Sequence, residues 1–82
     1  MHEIGIASHI LDAVRQETAA HQPARATKVG VRIGKMAGID PSSLAFCFEA
    51  LVKGSDLEPL ELAMEKGAAG ELEFAYLELE EP

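Results

Sequence analysis

A chain of 82 residues supplies one domain and leaves nothing over for a second core. With 48% hydrophobic and 26% charged residues it is a folding chain and not a disordered one, and a single cysteine excludes an internal disulfide or a cysteine-rich metal site. Seven basic against fourteen acidic residues give a net charge of −7, which argues against nucleic acid and anionic membrane as partners.

The charge is unevenly spread: residues 1–53 carry six basic and five acidic side chains, residues 54–82 one basic and nine acidic. The best apolar run, Leu44 to Val52, is too short to span a bilayer and is interrupted by Glu49. Glu3 stands where a secretory leader would carry positive charge, so a protein that is not exported is expected. So short a chain should be marginally stable alone, and a second copy or a bound partner would help it.

The elements follow in chain order. From Ile4 to Ala20, Ile4, Ala7, Leu11 and Val14 recur at helical spacing, with Ile6, Ile10 and Ala13 widening the stripe. Gln22-Pro23 ends that helix. Lys28 to Ile33 alternates, with Val29, Val31 and Ile33 on one face, as a half-buried strand does. After a loop with two glycines, Asp40-Pro41-Ser42-Ser43 is a helix start, Asp40 as N-cap and Pro41 in the first turn. The second helix buries Leu44, Cys47, Phe48 and Leu51 and stops at Gly54. Leu60, Leu62 and Met64 alternate with polar neighbours as a second strand. Gly67-Ala68-Ala69-Gly70 is a turn. Leu72, Phe74 and Tyr76 form a third strand whose apolar phase then slips to Leu77 and Leu79.

Helix–strand–helix–strand–strand, with alternating strands, predicts a two-layer α+β domain over residues 1–82: a three-stranded mixed sheet with both helices on one face. Face matching of Met64 with Phe74 predicts a β-hairpin closed by Ala68-Ala69-Gly70. The phase slip predicts a bulge near Ala75–Leu77.

Nothing calls for catalysis. No nucleophile-elbow, phosphate-loop or dinucleotide motif is present, and Cys47 lies on the apolar face of its helix, where it reads as a small core residue. The glutamates of the tail read as the solvated face of a strand that also guards an edge. His9 and His21 read as surface residues. His2 stands apart: the terminal amine, its amide nitrogen and its imidazole can close adjacent chelate rings, a nitrogen-rich planar set suited to Ni(II) or Cu(II). The bland alternative is a terminal histidine with no ligand role.

Met1-His2-Glu3-Ile4 and the segment Val31-Arg32-Ile33-Gly34-Lys35-Met36-Ala37-Gly38-Ile39-Asp40-Pro41-Ser42-Ser43-Leu44 resemble the HypA-type nickel metallochaperones, and the resemblance continues through Phe46–Gly54, Leu60–Glu65 and Glu71–Glu80. It implies a cytoplasmic protein that binds Ni(II) through Met1, His2 and Glu3, with His2 the essential ligand and Asp40 close to the metal. It also implies delivery to the hydrogenase large subunit together with a HypB-type GTPase. Family members insert a zinc-binding domain with two Cys-x-x-Cys pairs between the second and third strands; here Gly67–Gly70 stands in its place, so no zinc is expected. Two further expectations are open: a homodimer by strand or helix exchange, and a protein-interaction module that docks through a sheet edge or the basic residues Arg25, Lys28, Arg32 and Lys35, without metal delivery.

Overall fold

The computed structural model describes residues 2–82. Its elements are α1 (Glu3–Ala19), β1 (Arg25–Ile33), α2 (Pro41–Val52), β2 (Glu61–Lys66) and β3 (Leu72–Glu80). The sheet order is β2-β1-β3, with β1 parallel to β2 and antiparallel to β3. A parallel pair needs a crossover connection, and α2 supplies it. Both helices cover the same face, and Ile6, Ile10 and Val14 of α1, Val29 and Val31 of β1, and Leu44, Phe48 and Val52 of α2 close the core.

The second helix buries Leu44, Phe48 and Val52, while Cys47 is half-buried against the core and Leu51 is exposed, so the stripe runs at i, i+4, i+8. Asp40 is the N-cap, accepting from the Ser42 amide at 3.0 Å, and Gly54 past the helix end has φ +79. The first strand begins three residues before the expected Lys28. Ala26 pairs with Leu79 and Lys28 with Glu78, which leaves Thr27 as an extra residue. That bulge breaks the alternation by which the strand would have been recognised.

The hairpin between β2 and β3 is not formed. Both strands pair with β1, on opposite sides of it, so one chain completes the sheet without strand exchange. The face assignment behind the hairpin is nonetheless correct, because Met64 and Phe74 are both partners of Val31. The link from β2 to β3 crosses the end of β1: the Gly34 amide donates to the Glu71 carbonyl at 2.8 Å and the Met36 amide to that of Ala69 at 2.7 Å. A side chain at position 34 would collide with the main-chain oxygens of Ala68 and Ala69, so the crossing requires glycine there.

The predicted bulge is present. Gly30 pairs with Tyr76 and Val31 with Phe74, so Ala75 is the extra residue. Leu72 and Phe74 before it, and Leu77 and Leu79 after it, therefore share the helix-covered face. Tyr76, expected on that face, lies instead over Gly30 on the open one, in the space a β-carbon would fill.

On the open face Arg32 is flanked by Glu65 at 3.7 Å and by Glu73, and Lys28 pairs in register with Glu61 and Glu78. Cross-strand ion pairing thus takes up Arg32, and Lys28 lies between two glutamates in register.

Candidate metal centre

The connectivity brings the starts of both helices to one end of the sheet. Residues of α1 run alongside β1 in the reverse direction, so Glu3 lies near the end of β1 from which the loop to α2 departs. Glu3 and Asp40, 37 residues apart, are in direct contact: the Asp40 amide donates to Oε2 of Glu3 at 3.1 Å.

His2 is the N-cap of α1, with extended backbone angles (φ −86, ψ 133) and no side-chain cap bond. Its carbonyl accepts from the amides of Gly5 at 3.1 Å and Ile6 at 3.3 Å. The amides ahead of them belong to the first turn, which has no carbonyls to bond within the helix. Such amides are the ones a metal can deprotonate and bind without breaking secondary structure. His2 is exposed.

The Asp40 amide, and secondly Glu3's own amide, hold the Glu3 carboxyl below the usual carboxylate range. Asp40 is engaged through both oxygens, Oδ1 with the Ser42 amide and Oδ2 with the Ser43 hydroxyl at 3.2 Å. Each oxygen keeps a second acceptor site, so capping and a contact to a cation are compatible. Helix N-termini repel cations, and the two carboxylates offset that repulsion locally.

Among the described residues, no three His, Cys, Asp or Glu side chains gather into a group able to hold a metal. Met1, the remaining expected ligand, lies outside the described residues. His9 is exposed on α1, beside Phe74, and His21 sits past the end of α1 with Nδ1 2.8 Å from the Glu17 carbonyl; neither joins the site. What sequence reasoning missed is the role of the Glu3 carboxylate, which docks one helix start on the other. The available signal was an acidic residue in the first turn of α1 and an N-cap in the second helix.

The fold and site define a small α+β domain with a carboxylate pair where two helix starts meet. The profile of the family described as "Hydrogenase/urease nickel incorporation, metallochaperone, hypA" matches residues 1–71, and the chain belongs to that family. It is 44% identical over 69 residues to the hydrogenase maturation factor HypA of Chlorobium limicola, and 38% identical over 69 residues to that of Escherichia coli K12. Each match covers 84% of this chain and 60% of the relative. The HypA of Psychromonas ingrahamii is 35% identical over 80 residues, covering 96% of this chain and 70% of that relative. The chain thus spans about 60% of the length of the Chlorobium and Escherichia proteins. Among solved structures, the solution structure of the Ni metallochaperone HypA from Helicobacter pylori superposes with a TM-score of 0.64 at 20% identity, over 93% of this chain and 72% of that one, and supports the same fold. No helix among the described residues is long and apolar enough to cross a membrane.

Proposed function

We propose that this chain is the nickel-binding domain of a HypA-type metallochaperone, acting as a carrier and not as an enzyme. Ni(II) is its cargo, bound by the His2 imidazole, the main-chain nitrogens of His2 and Glu3 and the amine of Met1, with Asp40 beside it. The contact between Glu3 and Asp40 carries this reading, since it joins two of the expected site residues that are 37 positions apart. In a cytoplasmic setting the metal passes to the hydrogenase large subunit with the help of a HypB-type GTPase. A site at a chain terminus, with few side-chain ligands, releases its ion more readily than a closed thiolate cage, as a carrier requires.

Residues 67–70 replace a zinc-binding insertion, and the domain binds no structural zinc. A family match that ends at residue 71 supports this reading. A single cysteine cannot build a tetrahedral thiolate site.

Titration with Ni(II), followed by absorption and calorimetry, tests the assignment. One equivalent binds with the spectrum of a planar nitrogen-rich complex. His2→Ala abolishes binding, His9→Ala and His21→Ala leave it intact, a residue added ahead of Met1 weakens it, and acid releases the metal. Undiminished binding by His2→Ala would refute the assignment.

A further inference from the structure

In the order β2-β1-β3, one side of β2 has no strand neighbour among the described residues. The Gly67 amide donates to the Ile33 carbonyl at 3.1 Å, toward β1. By the two-residue alternation of a strand, Glu61, Ala63 and Glu65 also turn their main-chain groups to β1, while those of Leu62, Met64 and Lys66 face outward. Pairing with β1 is continuous from Glu61 to Lys66, without a bulge, so this edge is regular.

On the helix-covered side the edge borders two depressions. One, of about 520 Å³, lies under the second half of α2 and has Phe48, Val52, Leu60 and Leu62 in its lining. The other, of about 420 Å³, lies under the start of α2 and is lined by Ile33, Ile39, Pro41 and Met64. Leu62 and Met64 are successive residues of one strand face, roughly 7 Å apart. Two like-spaced side chains on a neighbouring strand reach one depression each.

The open side of the sheet specifies the charge of such a strand. Its rows read Glu78–Lys28–Glu61 and Glu73–Arg32–Glu65, with Tyr76–Gly30–Ala63 between them. Each charged row alternates in sign and ends at the β2 edge on a carboxylate, so a basic residue continues it. Glu61 and Glu65 are four residues apart, so the two basic residues must be four apart as well. Glu49 and Glu58 at the first depression add negative charge near Glu61, against one lysine, Lys53. Near the second, Lys35 and Lys66 oppose a basic side chain, so the depressions favour apolar groups and the open face the charges.

We propose that the outer edge of β2 docks an extended peptide of a partner protein, which joins the sheet as a fourth strand with apolar side chains toward the helices and basic side chains at i and i+4 on the open face. A second copy of this chain fits less well: β3 would bring Glu73, Glu78 and Glu80, and β2 supplies no pair of basic residues four apart. The β3 edge is a poor alternative, because it carries the bulge at Ala75 and the glutamates that guard edges. The proposal is independent of nickel.

The probe is the synthetic peptide Val-Lys-Val-Thr-Val-Lys-Val, with a counterpart carrying glutamate for lysine. Bound to the whole chain, the lysine peptide slows amide exchange at Leu62, Met64 and Lys66 and leaves the β3 amides unchanged. Glu61→Lys weakens the lysine peptide about two- to five-fold and strengthens the glutamate peptide by a similar factor. Met64→Pro removes one outward amide without touching the pairing to β1, and abolishes binding while the circular dichroism spectrum is retained. Should Met64→Pro unfold the domain, the charge exchange at Glu61 decides. Protection appearing at β3, affinities indifferent to the charge exchange, no binding up to about 1 mM peptide, or exchange at β2 that slows with protein concentration alone would each overturn the proposal.

Discussion

Replacing Gly34 by alanine tests the crossing of the β2–β3 link over the end of β1. The new β-carbon meets the main-chain oxygens of Ala68 and Ala69, which cannot swing aside as a flexible side chain could. The link must lift, and three main-chain hydrogen bonds are exposed to loss: Gly34 to Glu71 at 2.8 Å, Met36 to Ala69 at 2.7 Å and Gly67 to Ile33 at 3.1 Å. At about 1 kcal/mol each, losing two or three costs about 2–3 kcal/mol. The smaller conformational freedom of alanine in the unfolded chain returns about 0.4–1 kcal/mol. The net loss of about 1–2.6 kcal/mol lowers Tm by about 4–21 °C for a domain of this size. Gly5→Ala is the control, since nothing lies within 4 Å of its β-carbon and it sits in α1; its Tm should hold or rise. Thermal unfolding followed by circular dichroism reads both. A Gly34→Ala melt within about 2 °C of the parent, less than the smallest shift expected from these bonds, would mean that the link does not hold the end of β1.

Leu44 is fully buried, so Leu44→Ala should cost about 2–5 kcal/mol in chemical denaturation. Phe46, two residues on and 76% exposed, should change stability by less than about 0.5 kcal/mol when replaced by alanine. Asp40→Ala removes the N-cap of α2 and should cost about 1 kcal/mol in the same assay, with the exchange of the Ser42 amide accelerated. The Glu3 carboxyl has a lowered pKa in the fold, so its contact with the Asp40 amide contributes stability above the unfolded value and loses it as pH falls through the folded one. An NMR titration of the metal-free protein should show the Asp40 amide shifting in that acidic range, and Glu3→Gln should remove the transition.

Helical periodicity was a sufficient guide to α1 and α2, because each buries one stripe against one sheet face. Asp40-Pro41 marked the start of α2 for the same local reason, since a cap is satisfied within three residues. The order of the strands depends on distant groups. Consecutive strands are usually neighbours, and the parity of Met64 and Phe74 is the same whether they face each other or both face Val31. Only the bonds across Gly34 separate the two arrangements, and no periodicity reports them. Thr27 hid the first half of β1 by interrupting its alternation, whereas Ala75 disclosed its own bulge because apolar residues lie on both sides of it. At the candidate metal centre, His2 and Asp40 were legible from position and from family likeness. The docking of the Glu3 carboxylate on the Asp40 amide was not, because it joins residues 37 apart through a main-chain donor.

Because β1 lies between them, β2 and β3 are each fastened to a third strand and owe nothing to one another. In a hairpin, loop length sets register, and an insertion at the turn risks sliding one strand against its partner. Here the register of each flanking strand is fixed along β1, by six partners for β2 and eight for β3. The link at 67–71 is therefore a socket: a segment inserted there leaves the alignment of the sheet in place so long as the link still spans the end of β1. It opens beside Gly34 and Met36, on the path from β1 to Asp40, so whatever occupies the socket stands next to the two helix starts. Evolution or an engineer can thus change what is attached beside the candidate metal centre without retuning the fold that builds it.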